Sequence, residues 1–187
     1  ERPVVSKETI PYETLMAEAA VRELAAKQEP TDGNDTATTP ITFGQAYGSF
    51  LSQHGFDPDE RSQVQYIEDP ELAYVMLRYR QCHDFWHALT ALPPTVTGEL
   101  GLKWLELFQT GLPLAALSST VGSLGLSYHQ QHVLWNIYLP WARKSGQRLP
   151  YCALLNVYYE KELDTPLHEL RERLQLEAAP QNVEGQH

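Results

Sequence analysis

Apolar residues recur at steps of three and four along most of the chain, and runs of strict alternation that would predict strands do not occur. Leu15, Ala19 and Leu24 predict an amphipathic helix over residues 13–28. Phe43, Ala46, Tyr47, Phe50 and Leu51 share one face of a second helix over 42–54, with Gly55 as its left-handed stop. Asp69-Pro70-Glu71 combines a capping side chain, a proline suited to the first helical position and an acid at the positive helix end. It predicts a helix from Pro70 to Ala91, which Pro93-Pro94 must break. Thr95 or Thr97 then caps a helix running to Thr110, with Gly111 and Pro113 as its end. A third apolar stretch begins at Leu114. A long helix follows over 127–145, with Leu134, Ile137 and Tyr138 inward, a bend at Pro140 and Gly146 as its end. Asp164-Thr165-Pro166 starts a last helix, Leu167 to Leu176. The pattern is that of an all-α, single-domain helical bundle over residues 1–187, with a mobile loop at 29–40 (EPTDGNDTATTP) and a polar tail at 177–187.

Length and composition agree with one domain. A chain of 187 residues holds one full core, and a hydrophobic fraction of 42% with 20% charged residues is that of a globular protein. The net charge of −10 argues against nucleic acid as a partner, because phosphate backbones are held by clustered Lys and Arg. Cys82 and Cys152 form no CxxC pair and no disulfide framework, so a reducing compartment is expected. The most apolar run, Leu112 to Leu126, is broken by hydroxyl residues and falls short of the roughly 18 to 20 apolar residues that span a bilayer. Glycine-rich phosphate loops and internal repeats are absent from the sequence. The first residue, Glu1, is not Met, so the chain reads as a trimmed or mature one, and the lack of a targeting peptide excludes no compartment.

One constellation carries chemistry. A helical step of four residues turns the chain by about 400°, so His83 and His87 share a face about 40° apart, with Asp84 on its flank. His87 lies six residues before Pro93 and Glu99 six residues after it, so a helical hairpin folded at the prolines brings the two level. Two imidazoles and two carboxylates make a borderline donor set that suits a divalent ion. Zinc is the first expectation, ferrous iron, manganese and cobalt are also suited, and calcium is disfavoured. The bland reading is that helical histidines at this spacing arise by chance and serve packing. The flanking carboxylates weigh against it, since such a cluster is costly to bury without a cation.

The string HDFWH also looks like the HExxH helix of zinc peptidases, with Asp in place of the glutamate base. Asp84 would sit one methylene too far from the water it must activate. Thr90 and Pro93 stand where the longer zinc-peptidase motif needs Gly and His.

HDFWH followed after eleven residues by Glu99, with the flanks ELAYVMLRYRQCHD and GELGLKWLELFQTGLP, resembles the coenzyme Q (ubiquinone) biosynthesis protein 4 family. The resemblance continues through LPWARKSGQR and LLNVYYEKEL and weakens before residue 41. It implies an α-helical protein, usually a homodimer, held peripherally on the matrix side of the mitochondrial inner membrane among other ubiquinone-biosynthesis enzymes. It also implies a carboxy-lyase that removes the C1 carboxyl of a 4-hydroxy-3-methoxy-5-polyprenylbenzoate, coupled to C1 hydroxylation, with His83, Asp84, His87 and Glu99 as metal ligands and catalytic residues. A removed transit peptide would account for the start at Glu1. The alternative is a non-catalytic scaffold that binds polyprenylated benzoate or quinone lipids and organises the complex around them.

Three further features are candidates for substrate or membrane contact. Arg78 and Arg80, one turn before the ligands, could clamp a benzoate or simply form surface ion pairs. Leu100, Leu102, Trp104, Leu105, Leu107, Phe108 and Leu112 make the second hairpin helix apolar nearly all round, as a prenyl tunnel or as core. Trp135, Tyr138 and Trp141 stand near Arg143, Lys144 and Arg148, a mix suited to lipid headgroups or to a subunit interface.

Overall fold

The computed structural model describes residues 40–57 and 64–181. The expected 13–28 helix, nearly all of the 29–40 loop and the tail from residue 182 lie outside the described residues. Among those described, all regular elements are helical, and a lone bridge between Thr42 and Pro166 is the one strand-like pairing.

Side-chain caps fix the starts of four of the helices described. The first helix, α1 (Phe43–His54), starts at Thr42, whose hydroxyl accepts from the Gln45 amide while the Gln45 side chain accepts from the Thr42 amide. It stops at Gly55, where φ is 65°. The long helix α2 (Pro70–Thr90) begins at Asp69, whose carboxylate accepts from the amides of Glu71 and Leu72 at 2.8 and 3.1 Å. Next, α3 (Val96–Thr110) is capped by Thr95 and closed by Gly111 at φ 62°. α4 (Pro113–Gly122) follows directly. The bounds of α1, α2 and α3 match those predicted from the sequence to within a residue or two.

The next stretch departs from expectation. α5 (Tyr128–Val133) passes through a π-helical turn, Leu134–Tyr138, into α6 (Leu139–Arg148). Pro140 has no amide proton to give the carbonyl four residues back, and the ladder widens just before it. Gly146 does not end the helix. It is buried inside α6, where a Cβ would sit 2.5 Å from the Cβ of Phe108, and its carbonyl accepts from the Gln109 side chain at 2.9 Å. The glycine lets α6 lie close on α3. The last helix, α7 (Leu167–Arg173), is shorter than predicted and gives way to a left-handed Gln175 at φ 52°.

Phe43, Tyr47, Phe85, Trp86, Leu89, Leu102, Leu105, Leu134, Tyr138 and Tyr159 form the centre of one continuous core. The start of α1 is tied to the start of α7 by the Phe43 amide on the Thr165 carbonyl and the Leu167 amide on the Ile41 carbonyl, both at 2.9 Å. Past α7, Ala179 is buried and its amide donates to the Thr90 carbonyl at 2.7 Å, which ties the descending chain to the end of α2.

Tyr138 and Trp141 belong to this core, and the Trp141 indole donates to the Glu177 carbonyl. Of the three aromatics weighed as a headgroup belt, Trp135 is exposed, packed edge-on against Trp104. Tyr138 packs on Gly101 of α3, and Trp141 is buried and tied to the segment at Glu177.

Candidate metal centre

Local chain geometry builds the site from both sides of one turn. α2 ends where Ala91 adopts φ 58°, and the turn sends the Leu92 carbonyl back onto Nδ1 of His87 at 2.9 Å. A carbonyl only accepts, so Nδ1 carries the proton and the lone pair of a neutral His87 sits on Nε2. Across the turn, the Thr95 cap starts α3 and puts Glu99 in its first turn, where the amide ends favour a carboxylate. Gly98 makes room for this: a Cβ there would lie 2.1 Å from the Pro93 carbonyl oxygen.

His83 and His87 therefore face one carboxylate. Nε2 of His83 is 3.1 Å from one Glu99 oxygen and Nε2 of His87 is 3.0 Å from the other, with the two rings nearly perpendicular at 87°. Phe50 stacks on the His87 ring at 5.2 Å and closes that side to water. His87 is 1% exposed and His83 14%, while Glu99 at 38% faces outward. Although Nε2 of His87 lies 3.0 Å from a Glu99 oxygen, the approach is not aligned as a hydrogen bond, and this buried atom has no hydrogen-bond partner among the described residues. A lone pair facing a carboxylate oxygen is repulsive, and a cation between them relieves it.

The donor atoms of His83, His87 and Glu99 all lie within 4.8 Å of one another. Tetrahedral ligands held about 2.0 to 2.2 Å from an ion are on the order of 3.3 Å apart, close to the two nitrogen–oxygen separations. Three protein donors, one of them exposed, leave a side open to a further ligand, as in catalytic rather than structural zinc sites. Asp84, the fourth expected ligand, is partly buried beside His83, and its carboxylate is not among the gathered atoms.

Behind His83 stands a residue the sequence reading passed over. Glu106 has a fully buried side chain, and one oxygen lies 2.7 Å from Nδ1 of His83. The same carboxylate accepts from Lys103 Nζ at 2.8 and 3.1 Å and from the Tyr79 hydroxyl. Two spacings signal this network: Glu106 is seven residues after Glu99 on one helical face, and Tyr79 is four before His83 on another.

The charges reinforce one another. Burial works against the charge on Glu99, but the hydrogen bond from His83 and the closeness of the His87 imidazole outweigh it and hold its carboxyl well below the usual range. Burial likewise opposes the charge on Glu106, and His83 and Lys103 overcome it. His83 is held above its ordinary value, since its bonds to Glu106 and Glu99 outweigh the opposing effect of burial. Burial, then the neighbouring Glu106, pushes the Tyr79 hydroxyl up.

Other candidate residues serve the frame. Arg78 donates to the carbonyls of Leu155 and Val157 and lies over the Tyr159 ring at 5.8 Å, so it pins the 153–157 segment to α2. Leu100, Leu102 and Leu105 are core, while Trp104 and Phe108 are partly exposed and stacked on each other. Tyr159 is buried, accepts from the Trp86 indole and donates to the Leu154 carbonyl, each at 2.9 Å.

The family model for coenzyme Q (ubiquinone) biosynthesis protein Coq4 matches residues 27–180. The mitochondrial ubiquinone biosynthesis protein coq4 of Schizosaccharomyces japonicus is 43% identical over 141 residues, 75% of this chain and 58% of that protein. Its Aspergillus niger counterpart is 48% identical over 139 residues, 74% of this chain and 47% of that protein. The Bos taurus homologue, also named mitochondrial, is 42% identical over 144 residues, 77% of this chain and 54% of that protein. The chain spans about half the length of these relatives. A crystal structure from Nostoc punctiforme, provisionally named a ubiquinone biosynthesis protein, shares the fold at TM-score 0.58 and 23% identity, covering 85% of this chain and 80% of that one.

Proposed function

Because the chain belongs to the coenzyme Q (ubiquinone) biosynthesis protein Coq4 family, whose members serve ubiquinone biosynthesis, we propose that it is a metal-dependent carboxy-lyase of that pathway. Its substrate is a 4-hydroxy-3-methoxy-5-polyprenylbenzoate, which loses the C1 carboxyl as carbon dioxide and gains a hydroxyl at C1. Exchanging carboxyl for hydroxyl is a two-electron oxidation shared between C1 and the departing carboxyl carbon; with water as the source of the hydroxyl, dioxygen takes the two electrons and leaves as hydrogen peroxide.

The observation that carries this reading is the paired imidazoles, each with Nδ1 bound from behind and Nε2 turned to the half-open Glu99. His83, His87 and Glu99 would hold a divalent ion, zinc in the first instance, and would leave a position open for the substrate. Bound there, such an ion would supply a Lewis acid for the substrate carboxylate or phenolate and for an electron-rich ring. The chain's own groups orient and exclude. Leu92 and Glu106 fix the two rings, and Phe50 keeps water from His87. The exposed edge of Glu99 is the side from which a benzoate headgroup approaches.

The working form is a homodimer held peripherally on the matrix face of the mitochondrial inner membrane, beside other enzymes of the pathway. The mitochondrial names of the relatives support the compartment. Among the described residues no helix is long and apolar enough to cross a membrane, which suits a peripheral attachment.

The test is to measure bound metal in the purified chain and in Glu99→Gln, then follow carbon dioxide and hydroquinone from a short-tailed 4-hydroxy-3-methoxy-5-prenylbenzoate in air. Turnover by the metal-loaded chain, lost in a folded Glu99→Gln, is the expected result. Stoichiometric metal without turnover under several divalent ions would replace the enzyme by a lipid-binding scaffold with a structural ion.

A further inference from the structure

Glu106 is the least explicable residue in the molecule if α3 is read as a packing helix. Its side chain is fully buried, and a carboxylate in that position is costly unless its lone pairs are filled. They are filled three ways, by Lys103, by the Tyr79 hydroxyl and by Nδ1 of His83. Lys103 is 20% exposed and by itself would neutralise the charge. What Lys103 does not explain is why the shortest approach of this carboxylate to a nitrogen, at 2.7 Å, goes to an imidazole whose other nitrogen faces Glu99.

The two site histidines are anchored differently. His87 gives its Nδ1 proton to a neutral backbone carbonyl, and His83 gives its own to a carboxylate. A carboxylate behind an imidazole fixes the tautomer, holds the ring against rotation and raises the basicity of the far nitrogen. Tyr79 and Lys103, reaching Glu106 from α2 and from one turn earlier on α3, fix the carboxylate in turn. The arrangement spans both helices of the hairpin, so it also sets their spacing at the site.

We propose that Glu106 is the positioning residue of the metal centre: through Nδ1 of His83 it presents Nε2 as a ligand of fixed direction, with Tyr79 and Lys103 holding Glu106 itself in place. The proposal rests on the metal-site reading above. It concerns ion binding and therefore has readouts independent of turnover.

The experiment compares zinc affinity, by competition with a chromophoric chelator, and the visible spectrum of the cobalt-loaded protein, for the full chain, Glu106→Gln and Glu106→Met. Gln keeps an acceptor oxygen for the Nδ1 proton and loses the charge, whereas Met keeps the volume and loses both. We expect zinc to bind about 10-fold more weakly to Gln and about 100-fold more weakly to Met, with shifted cobalt bands in each. A Glu106 that only neutralises Lys103 would leave affinity and spectrum unchanged in folded variants, and that result overturns the proposal. If neither variant folds, proton NMR of the zinc-loaded parent decides. A slowly exchanging, downfield His83 Nδ1 proton is expected, and its absence overturns the proposal. A parent chain that takes up no ion removes the metal-site reading itself, an outcome distinct from a parent that binds zinc and variants that bind it equally well.

Discussion

Nδ1 of His87 lies 2.9 Å from the carbonyl oxygen of Leu92, a residue beyond the end of the helix that carries the histidine. The break in α2 is therefore part of the site. Ala91 turns the chain left-handed, Leu92 folds back, and the double proline carries it into the Thr95 cap.

That turn is closed so tightly at Gly98 that an added methyl would meet the Pro93 carbonyl oxygen at 2.1 Å. Gly98→Ala should cost about 1–3 kcal/mol, as overpacking against backbone does. It should also weaken zinc binding by displacing Glu99. Chemical denaturation and chelator competition would read the two effects, and wild-type values in both would refute the close packing.

Glu99→Gln should separate ion binding from folding. Glu99 is 38% exposed, so an amide is readily solvated there, while the ion loses its charged ligand. The variant should unfold within about 1 kcal/mol of the metal-free parent and bind zinc at least about 10-fold more weakly. A metal-free variant that is grossly unfolded would make Glu99 a structural residue.

Tyr159→Phe should act in the opposite way. The buried Trp86 indole would lose its acceptor and the Leu154 carbonyl its donor. Thermal or denaturant unfolding should show a loss of about 1–3 kcal/mol, with zinc affinity unchanged. A fall in affinity without a fall in stability would move Tyr159 to the metal centre.

Acid should loosen one edge of the molecule first. The Lys144 bond and then the Arg148 bond hold the Glu177 carboxyl below its ordinary value. A depressed carboxyl stabilises the fold fully above its unfolded pKa of about 4.3, and the contribution is lost as pH falls through the lowered value. Glu177 is half exposed, so the effect is small and screened by salt. Exchange of the Ala179 amide, corrected for intrinsic rates, should quicken below that range and in high salt at neutral pH; an amide indifferent to both would mean that the ion pairs do not fasten this segment.

The helices were readable because their ends are written in local chemistry. Asp69-Pro70, Thr95, Gly55 and Gly111 act through neighbouring backbone, and each stands where the sequence pattern puts it. Gly146 misled because its role is a contact with Phe108, nearly forty residues earlier in the chain. His83, His87 and Glu99 were legible from spacing around Pro93-Pro94. Glu106 carried only the weak signal of its spacing from Glu99, since a lone acid in a helix usually faces water, and the meeting of two helices shows that it does not. The role of Arg78, weighed as an anion clamp or a surface ion pair, was hidden for the same reason: the carbonyls it donates to belong to a segment more than seventy residues away.

The turn from Ala91 to Thr95 carries a consequence for how the centre is filled. Its two ends orient His87 and Glu99 through bonds the chain makes with itself, the Leu92 carbonyl on one side and the Thr95 hydroxyl on the other. In small zinc domains the ion is the organising nucleus and the naked chain is unfolded. Here the receptacle is built by helix stops and caps, so folding and loading are separable events. On the proposed reading an ion could enter late, leave and be exchanged for a competitor while the fold stands, and the identity of the bound metal would become a matter of supply in the compartment.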